Sequence, residues 1–152
     1  MRCGKISAPN QTPAAVEGGV RPGAGHILAP ISVGELFDKI TILEIKAERI
    51  TDPAKRLNVS SELFLLRDLK DREVTQSSTL DCLVAELKQL NESLWRIEDD
   101  IRDCERQGEF GARFVALARS VYRTNDRRAK LKRQINEASG SLLTEEKSYN
   151  NY

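Results

Sequence analysis

Histidine is almost missing from this chain of 152 residues: His26 is the only one. A histidine-centred catalytic triad and a multi-histidine metal site are therefore excluded by inventory. Aromatic residues make up 5% of the chain and charged residues 31%, a balance poor for a β-sandwich and typical of amphipathic helices. Cysteine is scarce too. Cys3, Cys82 and Cys104 form no paired-thiolate motif, and an odd number argues against a disulfide framework and for a reducing cytosol. Cys82 and Cys104 fall on one predicted helix, where 22 residues of separation amount to about 33 Å, far beyond disulfide reach. No run approaches the roughly 20 apolar residues needed to cross a bilayer, and the N-terminus lacks the apolar core of a secretory signal. These absences describe a soluble, cytoplasmic protein without a membrane span and without an expected metal or cofactor.

The length suits one hydrophobic core. Residues 1–26 hold Pro9, Pro13, Pro22 and five glycines, which build no packed element and break any amphipathic transit helix. They read as a disordered leader before a helical domain over 27–152. In that domain Ser32 and Glu35 have the spacing of a capping box, so a helix starts at Val33 and runs to about Ile50. Its core stripe is Val33, Leu36, Ile40, Leu43, Ala47 and Ile50, while Ile42 and Ile45 point elsewhere and suggest a second contact. Asp52 and Pro53 break that helix, and a second spans about 54–73, where Leu63, Phe64, Leu65 and Leu66 cover nearly every direction. That segment reads as central or as an oligomer interface. A third helix, about 80–106, carries Leu80, Leu83, Val84, Leu87, Leu90, Leu94, Ile97 and Ile101 at 3/4 spacing. Gly108 suits a left-handed cap, Gly111 turns the chain into a fourth helix over 112–137, and Gly140 closes it. The fold class is all-α, an antiparallel bundle of about four helices.

Charge divides unevenly within the hairpin of the last two helices. Residues 76–109 carry four basic and nine acidic side chains, whereas 110–139 carry eight basic and two acidic. Arg119, Arg123, Arg127, Lys130 and Arg133 share the polar face of the fourth helix. Nucleic acid is nevertheless not the expected partner, because a pI near 7.7 and the lack of stacking aromatics fall short of the usual footprint, and the acidic helix beside it should offset the field. The dense carboxylates of IEDDIRDCE invite a divalent cation, but they lack partner ligands, so no metal is assigned.

Charges inside apolar stripes are more informative. Arg128 takes a core position between Val121 and Leu131, Glu44 lies beside Ile40, Leu43 and Ala47, and Glu98 lies between Leu94 and Ile101. A buried charge must be paired or costs several kcal/mol, so these residues should meet one another or a ligand. The hairpin register puts Glu98 too far along the bundle from Arg128, which makes Glu44 the expected partner. Asn125 and Lys132, one turn to either side, extend the polar seam, and Tyr122 and Trp95 flank it.

The segments ISVGELFDKITILEIKAERI, LWRIEDDIRD, VYRTNDRRAKLKRQIN and GSLLTEEKSY together resemble a family of short, all-helical bacterial proteins known only as a domain of unknown function. The likeness covers about residues 27–149 and places Asp38, Lys39, Glu44, Lys46, Trp95, Glu98, Asp99, Arg102, Asn125, Asp126, Arg128 and Lys147 in recurrent segments. It implies no reaction, ligand or catalytic residue. Relatives of this pattern begin near ILAPIS, which sets residues 1–26 apart as an appendage.

Two functions follow as expectations. The first is a non-catalytic module that self-associates or docks on a protein partner through Ile42, Ile45, Phe64 and Leu65. The alternative is a bundle that holds an anionic small molecule between Arg128, Lys132 and Lys39, with Glu44 or Glu98 as acid, base or orienting group.

Overall fold

The structure, a computed structural model, describes residues 27–146 and Ser148, and these hold four α-helices. They are α1 (Val33–Arg49), α2 (Pro53–Glu73), α3 (Ser78–Gln107) and α4 (Ala112–Ser139). Three of the four starts have a side-chain cap. Ser32 accepts a hydrogen bond from the Glu35 backbone N–H at 3.2 Å, Asp52 accepts one from Lys55 at 3.0 Å with Pro53 opening the helix, and Ser77 accepts one from Leu80 at 3.2 Å. The capping box is only half formed, because the Glu35 carboxylate turns to Lys132. α3 and α4 end at Gly108 and Gly140 in the left-handed region, φ 65° and 67°, where a side chain would be strained. The leader and Lys147 lie outside the described residues.

α1, not α2, is the central helix. It packs against α2, α3 and α4, and α3 packs against α4, whereas α2 packs only on α1. Two apolar clusters follow from that position. Leu36, Ile40 and Leu43 of α1 meet Leu63 of α2, while Phe37 joins Leu80, Leu87 and Leu90 of α3 with Leu131 and Ile135 of α4. Ile45 is 1% exposed and belongs to this interior, which corrects its reading as part of an outward interaction surface. A helix with two covered sides has two apolar stripes, and the sequence alone did not say that both would be filled from within the chain.

The four-residue run on α2 splits instead. Leu63 is buried, while Phe64 is 72% and Leu65 49% exposed, with Leu57 on the same side. α1 and α4 run antiparallel, Gly34 meeting Asn136, Glu35 meeting Lys132 and Asp38 meeting Arg128. Their approach at Gly34 is at backbone distance: a β-carbon there would lie 2.5 Å from the Lys132 carbonyl oxygen. Packing is uneven along the α3–α4 hairpin. From Trp95 through Lys130, Cys104 alone is buried.

Candidate functional site

Arg128 is held by Asp38. The guanidinium spans both oxygens of that carboxylate, with Nε donating to Oδ1 at 2.8 Å and Nη2 to Oδ2. Such fork-on-fork pairing fixes the plane of the arginine as well as its position. The Asp38 side chain is only 4% exposed, and its remaining needs are met by the Asn91 amide, which donates to Oδ1 and to the Thr41 hydroxyl, both at 3.0 Å. Thr41 in turn donates to the Asp38 carbonyl at 3.0 Å. The network is saturated: among the described residues no buried side-chain polar atom lacks a partner. Asp38 holds the Arg128 guanidinium further still from deprotonation, against the pull of burial.

This corrects the expected pairing of Arg128 with Glu44. Glu44 points toward α2 and the start of α3, where it pairs with Arg67 at 2.6 Å and Lys88 at 3.3 Å. Glu98 is not a core charge either. It is exposed and pairs with Arg102, one turn on, at 3.0 Å. Lys39 is bound to Glu62 of α2 at 2.6 Å and takes no part in the seam. Lys132 does sit near Arg128 on α4, but both carboxylates that grip it, Glu35 and Glu145, lie 2.6 Å away, so it is already neutralised. Burial opposes its charge, yet the hydrogen bonds it donates to Glu145 and Glu35 prevail and raise its pKa above the usual lysine value.

Beside Arg128 opens a cleft of about 550 Å³ between α1, α3 and α4. Its floor is apolar, from Ile42, Ile45 and Leu94, and its walls carry Lys46, Asn91, Trp95, Glu98, Asp99, Arg102, Asn125 and Arg128. That volume falls in the range of small-molecule pockets, and the lining is more polar than is usual for them, with seven charged or amide residues among eleven. Arg128 is 26% exposed at its side chain, and its third nitrogen, Nη1, reaches only a long 3.4 Å contact with the Asn125 oxygen. Lys46 has no ion pair among the described residues. Arg102 lies between Glu98 and Asp99, 3.7 Å from the latter, and the Arg49 guanidinium sits over the Trp95 ring at 5.4 Å. Glu98, Asn125 and Arg128 are thus brought to one cleft, while Glu44 and Lys132 are not. Asp38 and Lys46, which the family resemblance places in recurrent segments without a role, complete the site together with Asn91, which sequence reasoning missed. One signal was legible: Asp38, Thr41 and Ile45 recur at 3/4 spacing on one face of α1.

Across the wider surface, the acids of α3 make no ion pair with Arg119, Arg123, Arg127, Lys130 or Arg133 among the described residues. Asp99 faces Arg102, Asp103 pairs with Arg106, and Asp100 lies 3.8 Å from Arg113, while Arg133 pairs with Glu146. Arg119, Arg123, Arg127 and Lys130 are exposed without an ion pair among the described residues. No cluster of three or more potential metal ligands occurs among the described residues, and no described helix is long and apolar enough to cross a membrane.

A family model matches residues 27–152. The chain belongs to DUF6165, a family of unknown function. Comparison with curated proteins and with solved structures finds no match. The family's model takes in all four helices and every residue of the cleft, so the site lies wholly within the family domain.

Proposed function

We propose that this DUF6165 protein is a small-molecule binding module whose cleft between α1, α3 and α4 holds an anionic group against Arg128 and Lys46. One observation carries the reading. The Arg128 guanidinium is pre-oriented by buried Asp38, with Nη1 left weakly used at the cleft wall, while Lys46 of α1 has no acidic partner among the described residues. A cation held rigid before the ligand arrives loses little entropy on binding, and a second, unpaired cation supplies the net charge that the Asp38 pair cancels. Asn125 adds an amide and Trp95 an aromatic edge for the rest of the molecule.

Thermal unfolding in inorganic phosphate, succinate and citrate, against chloride at matched ionic strength, tests this directly. A ligand at a hundred times its Kd should stabilise the protein by about 2.7 kcal/mol. Lys46→Met should abolish that gain without changing stability in chloride; an unchanged gain, or no gain from any anion, ends the proposal.

Self-association is a second reading, favoured by α2. That helix packs only on α1 and leaves Leu57, Phe64 and Leu65 exposed on its outer side. Light scattering should report a dimer or larger species that Phe64→Glu converts to a monomer. A wild-type chain that is monomeric at all concentrations removes this reading and leaves the cleft untouched.

A further inference from the structure

Opposite charges that share a cleft normally close on one another. In this cleft Lys46 does not. Lys46 projects from α1 and makes no ion pair among the described residues, although Glu98 and Asp99 of α3 line the same space. The gap between them therefore exceeds the roughly 4 Å reach of an ion pair. The accounting of the remaining charges is uneven. Arg128 is matched by Asp38 and contributes direction more than net charge. Arg102 is shared by two carboxylates, Glu98 at 3.0 Å and Asp99 at 3.7 Å, so one negative charge on the α3 wall is left unbalanced. On the α1 side Lys46 is left unbalanced, with Arg49 held nearby over Trp95. The cleft thus carries an unmatched cation on one wall and an unmatched anion on the other, separated by open space above the apolar floor of Ile42, Ile45 and Leu94.

Building on the anion-binding reading above, we propose that the ligand is a zwitterion: a small molecule with an ammonium or similar cation at one end and a carboxylate or phosphate at the other. Its anionic end lies against Lys46 and the Nη1 side of Arg128, and its cationic end lies beside Arg102, on the oxygens of Glu98 and Asp99 that Arg102 does not engage. A purely anionic ligand satisfies the first wall but places nothing on the second. A ligand with both ends engages both walls at once, and the second contact forms at the high effective concentration set by the first. Opposed walls also discriminate, because a dianion of the same length meets Glu98 and Asp99 with like charge.

The test is isothermal titration of the full chain with ω-amino carboxylates from glycine to 6-aminohexanoate, each compared with the carboxylate and the amine of the same length. Phosphoethanolamine against ethyl phosphate covers the phosphate case. At one chain length the zwitterion should bind about tenfold or more tightly than the carboxylate alone, which corresponds to about 1.4 kcal/mol. The length at the maximum reads the distance between the walls. In the Glu98→Gln, Asp99→Asn double variant this advantage should vanish while affinity for the simple anion is kept. Both substituted residues are exposed, so the fold is not at stake, and a circular dichroism melt confirms it. In Lys46→Met both ligands should be lost. If the simple anions bind but the amino group adds nothing at any length, the zwitterion proposal is overturned and the anion site stands. If neither class binds, both fall together. If the advantage survives the double variant, the cation is held elsewhere and the assignment of its wall is wrong.

Discussion

The two halves of the α3–α4 hairpin have the same heptad-like spacing and very different surroundings. Toward the Gly140 end, Leu80, Leu87 and Leu90 meet Leu131 and Ile135, and α1 closes the layer with Phe37. Toward the Gly108 end, Ile97, Ile101, Phe114, Leu117 and Val121 hold the equivalent positions but are only half-buried. α1 ends at Arg49 and, among the described residues, no third helix covers them. Two helices bury one stripe each against the other and leave the flank open, which is why the cleft lies where α1 draws away. Periodicity reports which side of a helix is apolar, while burial depends on how many neighbours arrive.

The largest expected effect comes from breaking the saturated network at the closed end. Asp38→Ala leaves the Arg128 guanidinium and the Asn91 amide without their partner, and should cost about 3–5 kcal/mol in urea unfolding. Replacing both charges, Asp38→Leu with Arg128→Met, should recover most of that loss. Equal instability of the single and double variants would show that Arg128 needs no partner.

Next come matched truncations at the two ends. Leu87→Ala, at a fully buried position, should cost about 2–5 kcal/mol, and Leu117→Ala in the open half less than half as much. Equal losses would mean that the open half is covered in solution, which would favour a second copy of the chain there. Gly34→Ala probes the backbone contact of α1 with α4. The added β-carbon would sit 2.5 Å from the Lys132 carbonyl and 2.9 Å from the Asn136 side-chain oxygen, so overpacking should cost about 1–3 kcal/mol. A neutral result would show that α1 can shift outward without loss.

The smallest effect is pH-dependent. Lys132 has a folded pKa raised above the ordinary lysine value of 10.5, so its contribution to stability is complete below that pH and declines as pH rises through the higher folded value. Stability measured from pH 9 upward should therefore fall more steeply in the wild type than in Lys132→Met. Identical slopes would mean that Glu35 and Glu145 do not hold the lysine in solution.

Local features were legible because their causes are local. Ser32, Asp52, Gly108 and Gly140 bound the helices within a residue or two of where spacing and turn chemistry place them. The anomaly at Arg128 was also legible, since a guanidinium in an apolar stripe demands a partner wherever the helix packs. Which carboxylate answers was not. Asp38 and Glu44 lie six residues apart on α1, and only the antiparallel register of α1 on α4, with Gly34 against Asn136, brings the first and not the second to Arg128. Sequence spacing constrains contacts along one helix, whereas this choice depends on a rotation and a shift between two.

The cleft shows the same division. Its residues were present in the sequence as scattered charges on three helices, and Glu98 and Arg128 were noticed for occupying apolar spacing. By itself the chain determined four amphipathic helices, their ends, and a charge that had to be answered, because these follow from covalent order and the helical repeat. Only the tertiary structure decided that Ile45 is interior, that Glu44 belongs to Arg67 and Lys88, and that Lys46 lines one cleft with Glu98 and Asp99. Those outcomes depend on where α1 lies across the hairpin, and close packing of side chains from different helices settles that position.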